Sequence, residues 1–483
     1  MTNSKRLARE RSISQKNLYR NVVIGNLESA SLNKRDLLKF VIPSLLGIWV
    51  FLVPFPLHGE MNTLIGHVKE FLMMSIVGWQ PLIVSLLSFI VAFLTVAAKI
   101  FKPRWIMEDH LLHENLTGGP LWFAARICAL PISLFVLLGS QHYLGIGGPL
   151  SVFVSKASFI VNNLAPRLIM LAIVLGFWAP LIMDFGLVQF IAVYASPVMR
   201  PLFRVPGRAA VDCVASWLGS SSMAVVFTAK MYDAGFYTDR EAAAIVCGFS
   251  LAGIYNIYAI AELFYMEYAM PQILFVIYFT MILLAVVMPR IWPLSSIPDN
   301  YYMGRDNYHA SLAGERHGHS MFGWALLRGT ARARRMSAKR YLRESLSIIY
   351  ALLLSTVPLM ITFGTLLVIV AETTSVVELL AVPAETALDA MGAMESKIIA
   401  SATVFSFVDQ FLAVTYGRLL LTEQSRFICI CLSMTGLINL TEVGLHVWHS
   451  NIPLRFWQMT VVYVTRIILS MIIVIPAAGI LFP

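Results

Sequence analysis

The sequence predicts an all-α polytopic membrane protein, with about nine transmembrane helices plus two re-entrant helical hairpins in two inverted repeats. Three observations predict it. Of the 483 residues 58% are hydrophobic and 13% charged, at a mean hydropathy of +0.74, so there is too little polar surface to cover a soluble globule of this length. Apolar runs of spanning length recur along the chain. Finally, the pattern over Pro180 to Glu262 returns, drifted, over Pro358 to Glu442, and inverted repeats that meet at the midplane are a hallmark of secondary transporters.

Taken in order, residues 1–39 form a basic tail carrying Lys5, Arg6, Arg9, Arg11, Lys16, Arg20, Lys34, Arg35 and Lys39. It is too long and too polar for a cleaved signal and reads as a retained cytoplasmic segment, partly amphipathic against anionic lipid. Runs long enough to span follow at 40–58, 81–101, 121–140, 168–195, 241–264, 271–292, 344–371, 423–446 and 454–481. Two further apolar runs, 207–231 and 390–420, are broken by small and polar residues and read as hairpins. The domains expected are scaffold helices over 40–165, a first repeat over 166–292, a basic cytoplasmic linker over 293–343 and a second repeat over 344–483.

Charge placement supports this threading. With the N-terminus inside, Lys99-Lys102-Arg104, Arg200-Arg204-Arg208 and the 328–343 cluster all fall on the cytoplasmic side, whereas 372–395, outside, carries Glu372, Glu378, Glu385 and Asp389. Each repeat then holds three crossings and one hairpin. An odd number of crossings starts the second repeat from the opposite side and leaves the C-terminus outside.

The repeat itself pairs Pro180-Leu181-x-x-x-Phe185-Gly186 with Pro358-Leu359-x-x-x-Phe363-Gly364. It pairs Pro206 and Asp212 with Pro383 and Asp389, Ser250-x-x-Gly253-Ile254-x-Asn256 with Ser433-x-x-Gly436-Leu437-x-Asn439, and Glu262 with Glu442. Each match alone is weak. Their common order carries the argument.

Several function classes are disfavoured. Net charge +9 and a pI of about 9.3 reflect basic segments flanking apolar spans, so nucleic acid is not an expected partner. Cys128, Cys213, Cys247, Cys429 and Cys431 all lie in apolar stretches, which argues against disulfides and zinc, and His317-Gly318-His319 has no third ligand close by. An intramembrane hydrolase with Ser220 to Ser222 as nucleophile lacks a general base, since the ten histidines lie in loops or near span ends. No catalytic residue, metal or cofactor is expected.

Ionisable groups in apolar spans cost about 2.5–3.5 kcal/mol each on insertion scales and need a reason to be there. Asp184, Asp212, Glu262, Asp409 and Glu442 are such groups. Lys230 and Arg418 read as snorkelling ends, and Asp212 and Asp389 as hairpin caps or base ion pairs as readily as site residues. The substrate site is expected at Gly219, Ser220, Ser221 and Ser222 in the first hairpin and Ser401, Thr403 and Ser406 in the second. Asn256, Asn439 and Glu442 complete it. In both copies Ser, Gly and Asn fall at helical spacing, as they also do in simple helix packing. Asp409, inside a hairpin, is the expected site for coupling Na+ or H+, with Asp184 as the alternative and an Arg418 ion pair as its structural reading.

The stretch Pro201-Leu202-Phe203-Arg204-Val205-Pro206-Gly207-Arg208-Ala209-Ala210-Val211-Asp212, followed by Ala215-Ser216-Trp217-Leu218-Gly219-Ser220 and Tyr237-Thr238-Asp239-Arg240-Glu241-Ala242-Ala243, closely resembles the YjiH-like proteins. Those proteins carry the nucleoside-recognition or Gate domain, also found in concentrative nucleoside transporters, ferrous-iron transporters and spore-maturation membrane proteins. The resemblance is specific over about 180–265 and looser over 345–480, where the chain looks like a fusion of two Gate-containing halves. It implies a carrier of small polar solutes in the bacterial inner membrane. Nucleoside transporters of the superfamily bind base and ribose through Asn, Gln and Glu, a role that Asn256, Asn439 and Glu442 would take here. The hairpins offer Ser and Thr instead, so amino acids, dipeptides and polyamines stand beside nucleosides. The partners implied are a small solute, the lipid bilayer and, optionally, further copies of the chain. The rival reading is a non-transporting sensor or assembly component.

Overall fold

Side-chain caps start many of the helices. Thr238 and Glu241 form a reciprocal capping box, each side chain accepting the other's backbone N–H. Asn33, Thr63, Ser320, Ser337 and Thr422 each accept one N–H from the first turn that follows. The computed structural model describes residues 33–53, 55–57, 60–104, 106, 112, 116, 119–140, 153–154, 157–218, 221–302, 320–436, 438, 443–448 and 450–482.

Before the repeats lie α1 (Lys34–Leu52), a two-stranded ladder of β1 (Phe55–Leu57) and β2 (Glu60–Asn62), α2 (Leu64–Ser75), α3 (Gln80–Ile100) and α4 (Pro120–Ser140). The first repeat comprises α5 (Ala165–Met183), α6 (Leu187–Phe203), a hairpin of α7 (Ala210–Leu218) and α8 (Ser221–Asp233), a broken pair α9 (Asp239–Phe249) and α10 (Ile254–Leu263), and α11 (Met270–Val287). Two linker helices, α12 (Met321–Arg334) and α13 (Ala338–Tyr350), follow. The second half gives the same order: α14 (Val357–Thr373), α15 (Val376–Ala390), a hairpin of α16 (Ser396–Val408) and α17 (Ala413–Gly417), then α18 (Glu423–Thr435), α19 (Leu445–Trp448) and α20 (Phe456–Leu481).

The repeat is visible in contacts as well as in order. The α6–α7, α7–α9 and α9–α11 packings of the first half correspond to α15–α16, α16–α18 and α18–α20 of the second, and α11 packs directly on α20 where the halves meet. Its register differs from the one the sequence predicts. A widened π-turn precedes a proline in each half: Ile160–Leu164 before Pro166, and Ala351–Thr356 before Pro358. Proline lacks the N–H and crowds the carbonyl four residues back, which the wider turn accommodates. Pro358 therefore matches Pro166, not Pro180. Pro206 likewise sits at the break before its hairpin while Pro383 lies inside α15, so Asp212 and Asp389 are not equivalent. The Ser-x-x-Gly motif does fall at the helix break in both halves.

The all-α polytopic class holds, and seven helices among the described residues are long and apolar enough to cross a membrane. Of the nine expected spans, 40–58 instead ends as a helix at Leu52 and turns into the β1–β2 ladder, and the helix of 423–446 stops at Thr435. The expected 168–195 span is cut at Asp184 to Gly186, where Gly186 takes φ +105 and a Cβ would strike the Gly329 carbonyl at 2.2 Å. Glycine alone allows that approach of α6 to α12. The 293–343 segment is accordingly more than a linker, because α12 packs on α6 and α1. Arg332 pairs with Asp184 and Arg334 with Asp36. Phe89, Phe93, Phe275, Phe279, Ile472 and Ile480 remain exposed, as suits a surface that faces lipid.

One ion cluster is sealed inside. Lys69 of α2, with no exposed side-chain surface, pairs with the equally buried Glu262 of α10, which Arg167 also reaches at 3.1 Å. Removing one partner of a buried pair strands the other charge, at about 3–5 kcal/mol. Glu262→Gln is therefore expected to lower the melting temperature in detergent sharply, and Lys69→Met in the same chain to restore part of the loss. A Glu262→Gln protein melting with the wild type would show that the cluster is not structural.

Candidate functional site

Between Ser250 and Gly253 the chain leaves the helix, and α10 restarts at Ile254. A break at this depth exposes carbonyls that need donors. Trp217 Nε1 of the first hairpin donates to the Phe249 carbonyl at 3.0 Å, and Ser216 Oγ reaches the Leu251 carbonyl at 3.5 Å. The remaining acceptors are taken from the other repeat. Arg466, on α20 and completely buried, donates to the carbonyls of Cys247 at 2.8 Å, Ser250 at 2.7 Å and Thr435 at 2.8 Å. One guanidinium thus caps the C-terminal ends of α9 and α18, one helix from each half. Its positive charge faces the negative ends of two helix dipoles, and its rigid fork of donors suits several carbonyls at once.

The second hairpin is closed on itself. Thr403 and Ser401 donate to carbonyls one turn back in α16, and Ser406 bonds both the Thr403 carbonyl and the Tyr463 hydroxyl of α20, each at 2.8 Å. Asp409 lies at the hairpin tip, where its Oδ1 accepts the Phe411 N–H at 2.9 Å and starts the returning arm. At the base, Glu395 accepts the N–H groups of Leu421 at 2.9 Å and Thr422 at 3.2 Å, tying the hairpin entrance to its exit. Partial burial pushes the Glu395 carboxyl up, but these donors outweigh it and hold the group below the usual glutamate range.

Expected and observed placements can now be compared. Asn256 is buried, but it stands in the first turn of α10 and not mid-helix, so the helical spacing from Ser250 does not exist. Its Oδ1 has no hydrogen-bond partner among the described residues. Ser221 and Ser222 open α8, while Gly219, Ser220, Asn439 and Glu442 lie outside the described residues, as do His317 and His319. Asp184 is drawn to Arg332 at the α5–α6 break, away from both hairpins. Among the described residues Asp212 makes neither a helix cap nor a hairpin-base ion pair, and it accepts from Tyr237 at 2.8 Å. Arg418 stacks over the Phe159 ring at 3.8 Å. Sequence reasoning missed Arg466, Tyr463, Lys69 and Arg167. For Arg466 the signal was present, as a cation deep in the apolar run 454–481.

The Gate family, described as nucleoside recognition, matches residues 165–265, which run from α5 to the α10 end. An uncharacterised protein of Alkalihalophilus pseudofirmus is 31% identical over 447 residues, covering 92% of this chain and 95% of that protein. The chain belongs to the YjiH-like family of Gate-domain membrane proteins. Among solved structures, a doubly substituted CNTnw in an outward-facing state covers 92% of this chain and 96% of its own, at 12% identity and a TM-score of 0.37, a likeness too low to transfer any feature. In this YjiH-like chain the matched Gate segment contains the first hairpin and the broken pair, and Arg466, outside it, joins that segment to the second half.

Each carbonyl left without its donor costs about 1–3 kcal/mol. Arg466→Met is therefore expected to yield little folded protein, and Arg466→Lys an intermediate amount, because one ammonium cannot serve three carbonyls of fixed direction. Size-exclusion profiles and melting curves in detergent read this out, and a wild-type profile for Arg466→Met would refute the clamp.

Proposed function

We propose that this YjiH-like protein is a secondary active transporter of a small polar metabolite, nucleoside-like or amino-acid- or dipeptide-like, in the bacterial inner membrane with its N-terminus cytoplasmic and its C-terminus outside. The observation that carries the reading is the pair of interrupted helices, each packed against the hairpin of its own half and bridged by Arg466. Irregular backbone surrounded by protein at membrane depth is where transporters hold their substrates. Asn256 is assigned to that site on the first-half side, its buried amide oxygen having no hydrogen-bond partner among the described residues. By the repeat, Asn439 and Glu442 follow the second break. Ser401, Thr403 and Ser406 of the second hairpin are proposed to flank it, with Gly219 to Ser222 assigned to the first-hairpin side from the sequence alone, and Asp409 holds the second tip in shape.

Uptake into proteoliposomes, tested with nucleosides, amino acids, dipeptides and polyamines, is the direct test. One class is expected to accumulate, and Asn256→Ala to weaken its apparent affinity about 3- to 10-fold, since an amide hydrogen bond contributes about 0.5–1.5 kcal/mol. A well-folded protein that moves none of the four classes would favour the sensor or assembly role.

The inverted arrangement is testable separately. Ser337 and Thr386 are both exposed, and cysteines placed there in a background without native thiols are expected to label from opposite faces of intact cells. Labelling of both from outside would overturn the topology, because it would move the basic 328–343 cluster across the membrane.

A further inference from the structure

We propose that Asp212 is a proton-binding site inside the first hairpin and that its protonation drives transport, an inference whose second half rests on the transporter reading above. Asp212 is only 2% exposed and lines a cavity of about 10 Å³ with Ser216, Val225, Thr228, Ile245, Phe249 and Ser250, room for one water-sized sphere. The walls come from both hairpin arms and from α9, up to the residue at which that helix breaks.

The carboxylate is half-satisfied, and by neutral groups. Its Oδ2 accepts from the Tyr237 hydroxyl at 2.8 Å and, at the outer limit, from Thr228 Oγ1 at 3.5 Å. Its Oδ1 has no hydrogen-bond partner among the described residues. Of the titratable and charged groups around it, Cys213 is its neighbour on α7, Tyr237 faces it from the loop after α8, and Arg208 acts on it through space while lying over the Phe236 ring at 5.4 Å. Arg208 also acts on Glu241 of α9. An ionised carboxylate enclosed in this way, with one oxygen bare, is relieved by taking up a proton.

A metal cation fits the cavity less well. Hard cations want six or more oxygen ligands, whereas half the named wall is Val225, Ile245 and Phe249. The other acceptors a cation would use are carbonyls at the helix break, and Arg466 already holds those of Cys247 and Ser250. The guanidinium fills the fixed cationic seat at those carbonyls, which leaves the Asp212 carboxylate as the exchangeable site. The step is H+ from water joining the Asp212 carboxylate to give the neutral acid, and leaving again to water on the other side. Because Ser250 both lines this cavity and ends α9, the change in charge bears directly on the break that leads to Asn256.

Infrared spectroscopy of the purified full-length protein across a pH series tests the proton site without any substrate. The wild type is expected to show a protonated-carboxyl band that fades as pH rises and is missing in Asp212→Asn. Tyr237→Phe removes a donor to the ionised form, so its band should persist to higher pH; this variant also keeps the test decisive should Asp212→Asn fail to fold. A band unchanged in Asp212→Asn and unmoved in Tyr237→Phe overturns the assignment, as does a band abolished when Na+ replaces choline at fixed pH. In proteoliposomes, Asp212→Asn is expected to lose uphill accumulation under a proton gradient while retaining solute exchange, and full accumulation would overturn the coupling. A wild type that exchanges no solute refutes the transporter reading, and the infrared result still decides the proton site.

Discussion

The two halves are held together by the Arg466 guanidinium. Helices that stop inside a bilayer leave carbonyls that neither lipid nor a continuing helix can satisfy. In this protein the ends of α9 and α18 converge on one side chain of α20. A carboxylate partner would neutralise the arginine locally, but it would also compete for the donors the carbonyls require. The two helix dipoles supply the compensating negative charge instead. Where the hairpins dock, and where irregular backbone is tolerated at all, follows from that convergence.

Outside this centre, charge works as fastening. The basic helix α12 is pinned to the break between α5 and α6 by Arg332 and Asp184 and to α1 by Arg334 and Asp36, and the Gly186–Gly329 approach brings the backbones together. At α10 the buried Lys69 and Glu262, with the half-buried Arg167, do the same for the N-terminal helices. Such pairs add little over a well-packed apolar contact, but a half-removed pair is costly, so they fix which helices meet.

The two hairpins are related in position and differ in chemistry. The second has its hydroxyls bonded to its own backbone and to Tyr463, its tip capped by Asp409 and its base tied by Glu395. The first encloses a carboxylate, near the helix break, one of whose oxygens has no hydrogen-bond partner among the described residues. Repetition of the fold therefore does not imply repetition of function. A closed hairpin and an open one suit a device in which one side holds while the other responds.

Composition and charge placement determined the membrane class, both hairpins to within a few residues and the existence of two related halves, because the bilayer constrains apolar length and basic flanks so strongly that they can be read locally. The Ser-x-x-Gly recurrence marked related positions in the two halves but read as continuous helix, and only the structure shows the helices ending there. Only the tertiary structure decided which prolines correspond, since Pro180 and Pro166 look alike until the π-turn before Pro166 is seen. It also decided which polar residues are spent. Thr403 and Ser406 are consumed by hydrogen bonds to carbonyls of their own helix and Asp184 by Arg332, while Asp212 keeps one oxygen without a partner among the described residues and Arg466 serves three carbonyls drawn from both halves. Some of these partners are a turn away, but others, such as Arg466 and Cys247, are 219 positions apart, and no local pattern records them.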